Sequence, residues 1–232
     1  MPMKNRIWEL DALRGLCILG MVAVHGIYDA RELYGLISRD YPPAFVLMKD
    51  WGGIAFLLLS GVCATLGSRS VRRGAVVLVC GMAITAVTAA GFFLGVLDGS
   101  LVITFGVLHC LGCSMILWRL CRNLPGRYLI QLGAALAALG FLARDLTVET
   151  VWLIPLGLVL PGFSAADYFP LLPNFGFFLL GAALGRRLYP EKVTRFPGKQ
   201  GKLARFLGLC GRHSLTVYLL HQPILLGVLA LF

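Results

Sequence analysis

The sequence predicts an all-α membrane protein, a polytopic bundle of about seven transmembrane helices that forms one domain over residues 1–232. Three observations predict it. Hydrophobic residues make up 58% of the chain and charged residues only 14%, with a mean hydropathy of +0.82; so little polar surface does not cover a water-facing core of this size. Apolar runs recur at close to the roughly 20 residues that a helix needs to cross a bilayer. No long polar linker divides them.

The spans read at about 10–29, 51–68, 74–96, 101–118, 128–143, 168–186 and 212–231. The first keeps Arg14 inside its apolar stretch and is followed by no small-x-small site, so it reads as a retained helix rather than a removed signal. Asp50 precedes the second as a start signal, and Asp167, Pro170 and Pro173 do the same for the sixth. The fifth is the shortest. In the sixth, Gly181 and Gly185 form a G-x-x-x-G that suits close helix packing. In the seventh, Pro223 is expected to free a carbonyl one turn earlier and bend the helix. Seven cysteines lie in or beside the spans; their odd number and apolar settings read as packing residues rather than disulfides.

Residues 151–163 are apolar but short, and they contain Pro155 and Pro161. Charge decides how to read them. With the N-terminus cytoplasmic and this segment not crossing, all but four of the 21 basic residues fall on the cytoplasmic side, Lys4 and Lys199 among them. The exceptions are Arg31, Arg39, Lys49 and Arg144, while Glu9, Asp11 and Glu191 are the only acids inside. A crossing at 151–163 would move the basic residues from Arg186 to Arg212 outside and erase this asymmetry. The segment is therefore expected to be re-entrant or to lie on the outer face, in a multi-pass protein of the inner, cytoplasmic membrane. The same distribution explains the net charge of +10 with lipids as partners and no nucleic acid. A homo-oligomer is compatible with the sequence.

The first span carries a stripe of ionisable residues. At 100° per residue, Asp11, Arg14, His25 and Asp29 fall within roughly 60° of arc. Such groups are costly against lipid, so the stripe is expected to face the bundle or a wet cavity. Asp11 and Arg14 can pair near the inner end. His25 and Asp29, four apart, can pair near the outer end, with the carboxylate holding the imidazole's tautomer. In the seventh span, Ser214, Tyr218 and His221 share a face, with Gln222 beside it. Arg69, Arg72 and Arg73 cluster at the inner end of span two, suited either to clamping phosphates or to topology and anionic lipid. His109 lies midway along span four near Cys110 and Cys113, but Cys110 points about 100° away on the helix, so no metal site is expected.

Several segments carry a family likeness: LDALRGLCILGMVAVHGIYD (10–29), FLLLSGVCATLGSRSVRRG (56–74), FGVLHCLGCSMIL (105–117), DYFPLLPNFGFFLLGAALG (167–185) and LGLCGRHSLTVYLLHQPIL (207–225). They resemble the small bacterial proteins that carry the catalytic domain of heparan-α-glucosaminide N-acetyltransferase. More distantly, the R-G…H pattern of the first span is similar to membrane acyltransferases that O-acetylate bacterial surface glycans. The resemblance implies transfer of an acyl group, usually acetyl, from cytoplasmic acyl-CoA to an extracytoplasmic sugar or glycan acceptor, with no metal. It implies His25 and Asp29 as catalytic residues. Asp11, Arg14, Arg69, Arg72, Arg73, His109, Tyr218 and His221 are candidates for holding substrate or CoA. His25 either deprotonates the acceptor or is itself acetylated first. In the lysosomal enzyme the histidine taken as catalytic lies beyond the first motif; here residues 30–50 contain no histidine, and His25 occupies the motif itself. Two other classes fit the stripe: a proton-coupled small-molecule transporter or flippase that uses it as a relay, and a non-catalytic membrane partner of the same fold.

Overall fold

A computed structural model describes residues 6–37, 40–198 and 200–231; Lys4, Arg39 and Lys199 of the charge distribution lie outside the described residues. The chain is all-helical. The helices are α1 (Trp8–Tyr28), α2 (Pro43–Leu66), α3 (Ser70–Phe93), α4 (Val107–Cys121), α5 (Gly126–Ala143), α6 (Leu171–Leu188), α7 (Lys202–Arg212) and α8 (Ser214–Leu229). A π-helical turn, Asp29–Leu33, continues α1. Among the described residues, four elements are long and apolar enough to cross a membrane: Trp8–Leu33, Pro43–Leu66, Ser70–Phe93 and Gly126–Ala143. Val107–Cys121 and Ser214–Leu229 are apolar but shorter. Their outward faces are what lipid contact requires: Val87 is 71% exposed, Leu142 80% and Phe93 83%, a pattern unfavourable in water.

Besides span two, which starts at Pro43 rather than near residue 51 so that Asp50 lies inside α2 and does not start it, the expected spans map onto these helices with three differences. Span four starts at Val107 rather than near residue 101, because Asp98 accepts a hydrogen bond from the Ser100 amide at 2.8 Å and folds the approach into a separate 3-10 turn. Residues 151–163 do not form a membrane-crossing helix: only Val151–Leu156 is helical, as a 3-10 turn closed by Gly157 at φ 109°. Six residues at about 2 Å rise each fall far short of a roughly 30 Å core. The Val148 amide donates to the Val159 carbonyl at 2.9 Å and Tyr168 donates to the Ile154 carbonyl at 2.7 Å, folding the segment back on itself.

The third difference precedes the last span. Lys202–Arg212 forms its own helix, α7, and the chain breaks at His213 (φ −103°, ψ 21°). The expected bend at Pro223 is not where the break falls; α8 runs as one helix from Ser214 to Leu229 through the proline. The helix α7 presents Leu203, Phe206 and Leu209 outward and buries Gly208 and Gly211. Its lysine and arginines hide this pattern in a hydropathy reading.

The chain forms two compact units, residues 1–59 with 189–232, and residues 60–188. In the first, α1 packs on α7 and α8. A Cβ on Gly15 would overlap the Leu207 carbonyl, and one on Gly211 would overlap the Asp11 carbonyl. Glu9 ties the loop after residue 189 to the start of α1. Its two oxygens accept from the Thr194 hydroxyl at 2.7 Å and the Arg195 amide at 2.8 Å, and Trp8 Nε1 donates to the Phe196 carbonyl at 3.1 Å.

In the second unit, α3 packs on α4, and both α5 and α4 pack on α6. Each principal pair again meets glycine to glycine: Gly74 lies against the Gly112 carbonyl and Gly112 against that of Gly74, while Gly133 and Gly176 repeat the exchange between α5 and α6. Arg186 donates to the carbonyls of Leu124 and Arg122, satisfying groups that a helix end leaves unpaired.

These contacts carry an opposite expectation for two glycines. Alanine gains about 1 kcal/mol over glycine in an open helix, but overpacking costs about 1–3 kcal/mol. Gly211→Ala is expected to lower the thermal stability of the detergent-solubilised protein. Gly227→Ala, where a Cβ meets nothing within 4 Å, is expected to leave it unchanged or raise it. Equal melting temperatures for the two variants would contradict the close α1–α7 contact.

Candidate functional site

The polar stripe of α1 divides into two clusters. Near the N-terminus, Asp11 Oδ1 lies 3.9 Å from Arg14 and Oδ2 lies 3.6 Å from Arg6. Asp11 thus sits between two guanidiniums at the point where Gly211 crosses it. The Asp11–Arg14 pairing is the one the helical spacing anticipates.

The second cluster lies three turns further along. His25 Nδ1 is 2.7 Å from His221 Nε2. The ring planes are 24° apart with centroids separated by 4.9 Å, so the imidazoles meet nitrogen to nitrogen. His221 Nδ1 lies 2.5 Å from the Tyr218 carbonyl on its own helix. Gln222 Nε2 donates to Asp29 Oδ2 at 2.8 Å, and the Tyr34 hydroxyl donates to the Leu226 carbonyl at 3.1 Å. Asp29 and His221 are buried, at 3% and 8% exposure.

The partnership differs from the one expected from spacing alone. His25 meets a second histidine across the helix pair, and the Asp29 carboxylate is held by Gln222. Two features of the chain bring this about. The π turn that begins at Asp29 is wider than an α turn, so directions assigned at 100° per residue fail after it, which brings Tyr34 to α8. The Tyr34 amide bonds the Asp29 carbonyl, five residues back. The second feature is the direction of α8. The α1–α7 contacts run in opposite order (Gly15 at Leu207, Asp11 at Gly211), whereas His25, Asp29 and Tyr34 meet His221, Gln222 and Leu226 in the same order. The chain changes direction at His213 and sends α8 along the polar face of α1.

Gln222 and Tyr34 join the site without having been picked out as site residues. Gln222 lies to the side of the Tyr218–His221 face on a helical wheel. Tyr34 lies beyond the π turn, where the wheel no longer applies. The sequence signal was the amide next to His221 on one side and a tyrosine just past an acidic helix end on the other.

His109, in the second unit, is buried and hydrogen-bonded at both ring nitrogens. The Gly106 amide donates to Nδ1 at 3.2 Å, so Nε2 carries the proton and donates to the Thr85 hydroxyl at 3.2 Å. The Thr85 hydroxyl in turn donates to the Ile103 carbonyl at 2.6 Å. This imidazole caps the start of α4 and ties it to α3. Arg69, Arg72 and Arg73 stand exposed at the beginning of α3. Among the described residues no group of three or more His, Cys, Asp or Glu side chains is arranged to hold a metal ion.

Residues 6–223 match the family model described as heparan-alpha-glucosaminide N-acetyltransferase, catalytic. No curated protein and no solved structure matches the chain.

The Gln222–Asp29 contact is testable by a double-mutant cycle. Gln222→Leu leaves a buried carboxylate without its amide donor and is expected to cost about 1–3 kcal/mol of stability. Asp29→Leu alone should destabilise similarly. The double variant should recover part of the loss, with a coupling of about 0.5–3 kcal/mol; strictly additive losses in unfolding measurements would show that the two side chains do not interact.

Proposed function

The chain belongs to the heparan-alpha-glucosaminide N-acetyltransferase catalytic family, and on that premise we propose that it is a membrane acyltransferase that moves an acetyl group from cytoplasmic acetyl-CoA to an amino-sugar or glycan acceptor on the opposite side. Residues 1–232 act as one domain in this reading, with the N-terminus and the basic loops on the cytoplasmic side. The observation that supports it best is the His25–His221 contact at 2.7 Å. It sets an imidazole of α1, which is long and apolar enough to span a membrane, against one from the shorter apolar helix α8, where isolated ionisable groups are costly and mark function.

Acetyl transfer requires the acceptor nitrogen or oxygen to lose a proton as its bond to the acyl carbon forms. The donor thioester supplies that carbon and a sulfur leaving group. The chain supplies the proton handling: His25 accepts the proton from the acceptor and returns it to the departing sulfur, which leaves as a thiol. An imidazole does this near neutral pH because its ordinary pKa is close to 6.5. Direct transfer needs one poised base; an acetylated His25 would need a second activated step, and direct transfer is the simpler reading.

Asp29, clamped by Gln222, orients the end of α1 next to His25. The exposed Arg69, Arg72 and Arg73 suit the phosphates of CoA, since guanidinium binds phosphate bidentately. His221 and Tyr218 act on His25. His109, with both ring nitrogens bonded within its own unit, takes a structural part.

Purified protein in liposomes supplied with labelled acetyl-CoA and an amino sugar should release CoA in step with acetylated acceptor. His25→Ala should lower turnover by about 10²–10⁴-fold, with folding unchanged. Label recovered on the quenched protein would favour the acetyl-histidine route. Absence of acyl-CoA binding at high concentration would overturn the reading, and substrate flux without CoA would point to transport.

A further inference from the structure

We propose that His221 is a positioning residue that sets the tautomer of His25, through a chain running from the Tyr218 carbonyl across two imidazoles, and that it leaves His25 Nε2 as the atom that accepts the proton. The assignment follows from counting hydrogens. A carbonyl oxygen only accepts. The Tyr218 carbonyl lies 2.5 Å from His221 Nδ1, so that nitrogen carries a hydrogen. A neutral imidazole has one N–H, which leaves His221 Nε2 a bare lone pair. His25 Nδ1, 2.7 Å away, must then be the donor. That uses the one hydrogen of a neutral His25 and leaves its Nε2 unprotonated, with no hydrogen-bond partner among the described residues.

The opposite arrangement needs a doubly protonated His221 donating to His25, which would place a hydrogen on His25 Nε2 and block it as a base. Two observations favour the neutral chain. Asp29 Oδ2 accepts from the Gln222 amide at 2.8 Å, and His221 Nδ1 lies 2.5 Å from the Tyr218 carbonyl. A buried imidazolium in an apolar helix pair is also costly.

The direction of the chain is built into α8. The Tyr218 carbonyl is three residues before His221, so the helix itself orients the His221 ring. His221 in turn orients His25, the part a carboxylate plays in a serine-hydrolase triad. Here the holder is neutral: it fixes which nitrogen is bare and accepts the Nδ1–H more strongly once His25 is protonated. Gln222–Asp29 and Tyr34–Leu226 hold the two helices in register on the far side of the pair.

The inference rests on the reading of His25 as the base, but it is measurable without turnover. With histidine ¹⁵N-labelled in the imidazole and the full chain in micelles, the four histidines give separate protonated and unprotonated nitrogen resonances. The expected spectrum has His25 protonated at Nδ1 and bare at Nε2. In His221→Leu the His25 pattern should shift toward Nε2–H, and kcat should fall by about 10²-fold with KM little changed. His221→Gln offers an amide oxygen to the same Nδ1–H and should restore the wild-type His25 pattern and most of kcat. Nε2–H on His25 in the wild type would overturn the assignment, as would wild-type kcat in a folded His221→Leu. If the tautomer is found as stated but no acetyl group is transferred, the acyltransferase reading fails and the positioning stands.

Discussion

The close approach of α1 to α7 is the contact on which the rest of the first unit depends. With no Cβ at Gly15 or Gly211, the backbones of the two helices meet carbonyl to Cα. In lipid no hydrophobic force distinguishes one apolar helix surface from another, so van der Waals contact between backbones is a principal source of specific helix pairing. Docking α7 at Asp11 and Gly15 fixes where the chain turns at His213. From that turn α8 has one course, along the polar face of α1, and His221 arrives at His25. A side chain on either glycine acts at a distance, by moving the helix that carries the second imidazole.

The same device recurs at Gly74 with Gly112 and at Gly133 with Gly176, so the second unit is also built from glycine-closed pairs. Its buried histidine shows what a structural imidazole looks like in this setting. His109 accepts from one backbone amide and donates to one hydroxyl, and both ring nitrogens are satisfied within a few residues in space. His25 differs. Its Nδ1 meets another histidine, and it stands on a span-length helix. That contrast underlies the proposed division between a histidine that holds a fold together and one that exchanges a proton.

Much of this was legible in the residues. Hydropathy located α1, α2, α3 and α5 because those helices need only be long and apolar. The one-face clustering of Asp11, Arg14, His25 and Asp29 was visible because helical period is a local property. So was the Tyr218–His221 face of the last helix. The helix α7 was not legible, because its apolar residues alternate with lysine and arginine and its packing surface is two glycines, which carry no hydropathy signal. The His25–His221 partnership was not legible either. It depends on a turn at His213, which has no sequence signature strong enough to show on a helical wheel.

By itself the sequence determined that this is a helical membrane protein, which stretches are apolar, where the charged residues cluster, and that the chain carries the motifs of one acetyltransferase family. Those are properties of composition, period and order, which do not require knowing what touches what. The tertiary structure decided the partners: that His25 faces an imidazole rather than a carboxylate, that Asp29 is held by Gln222, and that residues 151–163 fold back as a 3-10 turn. The reason is physical. A hydrogen bond is settled within a few tenths of an ångström, and that precision comes from how closely two backbones pack, which at Gly15 and Gly211 depends on side chains that are not there.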